Sequence, residues 1–142
     1  PSTAVYKKTK NPNNYMHLHI FIGFDILLKK YKFSESFLVK YKASINWNIA
    51  IVQQDVPEFL LNELISSRSI DWEIICRSQV LSEYFLRKHK KYIVWKAIAR
   101  YQILSEEFIV EFRNKLLWND IVLYQYLSLN FIYKNVFRIN YD

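Results

Sequence analysis

The fifteen residues from Trp95 to Ile109, WKAIARYQILSEEFI, carry a pattern that recurs along the chain. Isoleucine follows the tryptophan at three residues and glutamine at seven, and then come Leu104-Ser105-Glu106 and Phe108-Ile109. A step of 23 residues either way from Trp95 lands on Trp72 and Trp118; a step of 25 back from Trp72 lands on Trp47, and 23 more reach Phe24. All four tryptophans therefore share one register. With the aromatic as position 0, position 3 holds Leu27, Ala50, Ile75, Ile98 and Ile121, and position 7 holds Tyr31, Gln54, Gln79, Gln102 and Gln125. Position 9 is Phe33, Val56, Leu81, Leu104 and Leu127. Ser34, Pro57, Ser82, Ser105 and Ser128 follow it, and then Glu35, Glu58, Glu83, Glu106 and Leu129. Self-similarity at such a period is the mark of a repeat architecture.

Positions 0, 3 and 7 fall on one face of a helix, which the spacing predicts to run about eight residues. Asn46 and Asp71 stand before their tryptophans as N-caps. Leu-Ser-Glu opens a second helix, with serine accepting from first-turn N–H groups and glutamate complementing the dipole. Pro57 is tolerated at a helix start. Helices this short are marginal alone and need stacking to bury their apolar faces. The expected fold is all-α: a solenoid of about five 23-residue helical hairpins, with units starting near 24, 47, 72, 95 and 118 in a domain over 20–142. The alternative at this period is a leucine-rich-repeat-like horseshoe with Ile-x-Trp as a strand. Its L-x-x-L-x-L-x-x-N pattern and turn glycines are missing.

Composition agrees with the helical reading. The chain has 142 residues, 51% hydrophobic and 18% aromatic, with one Gly, which excludes a disordered tail and leaves little turn chemistry for a β-sandwich. No run approaches the length of a membrane span, and Leu18–Leu28 is apolar but short and interrupted by Asp25. Cys76, the sole cysteine, allows no disulfide within the chain and reads as a small buried hydrophobe. Of the net charge of +7, residues 1–42 hold +6, eight lysines against two carboxylates. Residues 1–19, with Lys7, Lys8, Lys10 and Asn-Pro-Asn-Asn, read as an irregular basic arm.

Few residues suggest chemistry. The tryptophan column (Trp47, Trp72, Trp95, Trp118) reads as core, and the glutamine column (Gln54, Gln79, Gln102, Gln125) as a buried ladder pairing helix-end backbone groups. The recurring glutamates are explained as caps. His17 and His19 lack a second ligand pair, and His89, inside a basic cluster, is expected to be solvated. There is no phosphate-binding glycine loop, nucleophile elbow or Cys–His pair, so neither an enzyme nor a cofactor is expected. The candidate partner-binding residues are Lys7, Lys8, Lys10, Lys29, Lys30, Lys32, Arg87, Lys88, Lys90 and Lys91.

The unit W-x-x-I-x-x-x-Q-x-L-S-E-x-F-I/L resembles repeats in proteins of giant nucleocytoplasmic large DNA viruses, the mimivirus-like and marseillevirus-like groups. The resemblance spans about residues 22–142 and is strongest over Trp72–Trp118. It implies a viral origin and a repeat fold, and no reaction. The expected role is a minor capsid or virion-associated protein binding neighbouring proteins, located in the virion and in the host cytoplasm during assembly. Alternatives are a host-protein adaptor, or nucleic-acid binding through the basic N-terminal third.

Overall fold

In a computed structural model the described residues are 23–67 and 70–139, with side chains up to 135. They form ten helices and no strand. The expected helical-hairpin array is present, and the horseshoe alternative, which needs a strand at Ile-x-Trp, is excluded. Each repeat supplies an A helix and a B helix. The A helices are α1 (Phe24–Lys30), α3 (Trp47–Gln53), α5 (Trp72–Ser78), α7 (Trp95–Tyr101) and α9 (Trp118–Tyr124), each starting on the position-0 aromatic. The B helices are α2 (Glu35–Lys40), α4 (Glu58–Ser67), α6 (Glu83–Lys88), α8 (Glu106–Glu111) and α10 (Leu129–Ile139).

The chain divides into two compact units, Pro1–Ile70 and Asp71–Asp142, instead of one continuous repeat domain. The division coincides with the one irregular step of 25 residues, Trp47 to Trp72. The B helix before it, α4, has 10 residues where α2, α6 and α8 have 6. The first unit contains two repeats and the second three. The expected basic arm lies outside the described residues.

Local chemistry explains where the helices start and stop. Ser34, Ser82, Ser105 and Ser128 each accept from the N–H of the phenylalanine three residues on, at 3.1–3.3 Å. Asp71 caps α5 by accepting from Glu73 N at 2.8 Å. Asn46 makes no side-chain cap; its Nδ2 donates to Asp25 Oδ2 at 3.3 Å. Val94 and Leu117 precede α7 and α9 without a side-chain cap, so packing of the aromatic face defines those starts. Every A helix ends where position 7 turns extended, with ψ of 146 to 158°.

Within each unit A helices pack on A helices, α1 on α3 and α5 on α7 on α9. Leu27, Ala50, Ile75, Ile98 and Ile121 at position 3 are all fully buried. Phe37, Phe85, Phe108 and Phe131 at position 13 are buried too, each burial contributing about 1.5–3 kcal/mol. The tryptophan column is less uniform than expected. Trp47 and Trp118 are buried, whereas Trp72 and Trp95 are half-buried. None stands free: Trp47 Nε1 donates to Lys42 O at 3.0 Å, Trp72 stacks on Tyr92 at 5.8 Å, and Trp95 meets Phe112 at 4.9 Å. An aromatic at position 17 joins this cluster: Phe37–Tyr41, Phe85–His89 and Phe108–Phe112 have centroids 4.5–4.7 Å apart. His89 therefore sits half-buried against Trp72 and Phe85, and is not the solvated residue expected from its basic neighbours.

Candidate interaction surfaces

A glutamine amide offers one acceptor oxygen and two N–H donors. Gln102 uses all three on the preceding repeat: Nε2 donates to Cys76 O at 2.7 Å and Gln79 O at 2.6 Å, and Oε1 accepts from Leu81 N at 2.9 Å. Gln125 repeats the arrangement on Ala99 O, Gln102 O and Leu104 N. Gln54 does the same on Leu28 O, Tyr31 O and Phe33 N. Gln79 is buried like them. The extended break after each A helix leaves backbone groups that its own repeat does not satisfy, and the next repeat supplies their partners. The glutamine column is therefore a ladder, directed backward along the chain.

The glutamates act forward. Glu83 Oε1 accepts from Ser105 N at 2.7 Å, and Glu106 Oε1 accepts from Ser128 N at 2.6 Å. They were read as caps of their own helices; they also join each B helix to the start of the next. Burial pushes the Glu83 carboxyl up, but hydrogen bonds from Ser105 and the charge of Arg87 outweigh it, leaving the group below its ordinary value. Glu35 faces Pro57 in this scheme, and proline has no N–H to give.

The candidate basic residues divide. Lys7, Lys8 and Lys10, like His17 and His19, lie outside the described residues. Arg87 is not turned to solvent as a phosphate contact: Nε donates to Glu111 at 2.8 Å, NH2 to Glu83 at 3.3 Å, and the guanidinium lies 5.0 Å from the Phe108 ring centre. It straps repeats 3 and 4 together. Lys32 pairs with Asp55 at 3.1 Å in full exposure, a contact that contributes little. Lys29 and Lys30 are exposed on the last turn of α1. Lys88, Lys90 and Lys91 are exposed after α6, and Arg113 and Lys115 occupy the equivalent turn after α8. That basic edge spans two repeats, so a search for local charge clusters finds only half of it.

A second edge escaped sequence reading altogether. Position 8 holds Lys32 and Asp55 in the first unit, but Val80, Ile103 and Tyr126 in the second, with exposures of 95%, 82% and 89%. Tyr101 and Tyr124 at position 6 and Tyr84 at position 12 are exposed beside them. The signal was a column read across repeats, apolar at a place with no role in the core.

Other features offer no chemistry. The described residues contain no group of three His, Cys, Asp or Glu side chains placed to hold a metal, and no helix long and apolar enough to cross a membrane. An open depression of about 420 Å³ is lined by Glu106, Glu107, Val110, Glu111 and Phe131. Glu106 and Glu111 are already engaged with Ser128 N and Arg87. Burial raises the Cys76 thiol above its ordinary value, which keeps it protonated. Asp120, 5% exposed, is held by Arg100 at 2.8 and 2.9 Å through Oδ1, while its Oδ2 has no partner. No family model, curated protein or solved structure matches this chain.

Proposed function

We propose that the chain is a non-enzymatic protein-binding repeat module of a virus particle, a minor capsid or virion-associated component. The observation that carries protein binding is the apolar edge of residues 71–142. Isolated exposed apolar residues are ordinary. A column of Val80, Ile103 and Tyr126, repeated at 23 residues and flanked by Tyr84, Tyr101 and Tyr124, is a contiguous patch of the kind that partners cover. The particle assignment rests on the repeat's resemblance to giant-virus proteins.

Mass spectrometry of purified particles is expected to find the protein, and its absence there discards the virion role. Capture of a single cellular protein together with that absence would move the reading to a host-directed adaptor. The triple variant Val80→Asp, Ile103→Asp, Tyr126→Asp is expected to keep the wild-type melting temperature and to lose incorporation into particles. Undiminished incorporation removes the apolar edge as the contact.

A second reading, nucleic-acid binding, draws on the basic edge of Lys88, Lys90, Lys91, Arg113 and Lys115. Such binding falls steeply with added salt. Undetectable binding at low salt, or binding insensitive to salt, excludes it.

A further inference from the structure

Interior repeats of each unit present to the next repeat a face that is completely covered. Position 4 is at 0–1% exposure in Leu28, Cys76 and Ala99, and position 14 at 0% in Leu38, Leu86 and Ile109. The equivalents in the fifth repeat are open: Val122 is 38% exposed, Ile132 is half-buried, and Leu129 beside it stands out in solvent. The polar half of the face is open as well. Each preceding repeat offers the carbonyls of positions 4 and 7 and the N–H of position 9 to an incoming glutamine, as Cys76, Gln79 and Leu81 do to Gln102. In the fifth repeat these groups are Val122 O, Gln125 O and Leu127 N, and no glutamine among the described residues reaches them.

We infer that the end face formed by Val122, Gln125, Leu127, Leu129 and Ile132 docks a helical hairpin of this same consensus, carried by a different polypeptide, whose position-7 glutamine enters the ladder. The geometry specifies the guest closely: two amide donors and one acceptor on a side chain of glutamine length, set seven residues after an aromatic. This chain does not provide it. Gln54, Gln79, Gln102 and Gln125 occupy ladder positions and Gln53 lies exposed on α3, while residues 1–22 and 140–142 contain no glutamine. A second copy presents its first repeat, where position 7 is Tyr31, a phenol with a single O–H. The ladder therefore accepts at its C-terminal face and does not donate at its N-terminal one, which blocks open head-to-tail growth of the chain on itself.

The inference deepens the protein-binding reading by naming the partner's fold, and uses a surface distinct from the apolar edge. The full chain, extended after Arg138 by a copy of residues 93–115, places a glutamine 23 residues beyond Gln125; a control carries leucine there instead. The glutamine form is expected to slow hydrogen exchange at Leu127 N–H by about tenfold or more relative to the control. Equal rates overturn the end face as a ladder acceptor whatever the fate of the particle assignment. The unaltered chain is expected to sediment as a single species across concentrations. Self-association that Val122→Glu abolishes would make the occupant a second copy and overturn the role given to Tyr31. A photoreactive residue at Leu129 in the full chain should crosslink, in purified particles, to a protein whose sequence carries an aromatic with glutamine seven residues on. A crosslinked protein lacking that spacing overturns the assignment of the guest.

Discussion

Gln102 illustrates what one residue does in this array. Its amide satisfies two carbonyls and one N–H of the preceding repeat, in a site only 6% exposed. A Gln102→Leu variant keeps the volume and strands all three groups. At about 1–3 kcal/mol for each buried group left unpaired, it is expected to lose roughly 3–6 kcal/mol, measured by urea denaturation. Loss under 1 kcal/mol would mean that the carbonyls find other partners. The recurring glutamine inside an apolar face was legible from sequence as a ladder, because buried amides must be paired. Its direction was not: the partners of Gln102 lie 21–26 residues back, and no local rule says whether a side chain satisfies its own repeat, the one before or the one after. The aromatic at position 17 was missed for a different reason. Tyr41, His89 and Phe112 differ in type, so they do not read as one column, although their rings fill one place.

Single helices are held by two separable devices at Ser105. Its hydroxyl caps α8, and its backbone N–H donates to Glu83 in the repeat before. Ser105→Ala removes only the cap and is expected to cost about 1 kcal/mol. Glu83→Ala removes a charge-assisted bond and the partner of Arg87, and is expected to cost about 1.5–3 kcal/mol at neutral pH. Because the folded Glu83 titrates below its ordinary value of 4.5, the stabilisation is complete above that pH and is lost as pH falls through the lower folded value. The difference between wild type and Glu83→Ala, followed by thermal melts, should therefore shrink below pH 4.5. A constant difference down to pH 2 (roughly two units lower) would assign the bond no charge dependence. The serine caps were legible from the Leu-Ser-Glu triplet. The forward bond of the glutamate was not, since the cap rule already accounted for it.

At the scale of the molecule, the period of 23 gave the architecture, since only stacking lets helices of six or seven residues bury their rings. The division at Ile70 and Asp71 was present in the sequence as a 25-residue step, and it reads as a mere slip of phase until the lengthened α4 is seen. Surface function was the least legible level. Val80, Ile103 and Tyr126 lie outside the core pattern, and the basic edge is assembled from turns 23 residues apart.

The backward reach of the glutamines also has a consequence for synthesis. Polypeptides emerge N-terminus first, so the break after each A helix is completed only when the following glutamine leaves the ribosome. The Cys76 and Gln79 carbonyls wait for Gln102, and those of Ala99 and Gln102 wait for Gln125. Nascent chains stalled with Gln102 just outside the exit tunnel should resist proteolysis through the third repeat, and chains stalled a few residues earlier should be cut there. Each repeat is thus proofread by its successor, and the growing array carries one unfinished edge from its first hairpin to its last.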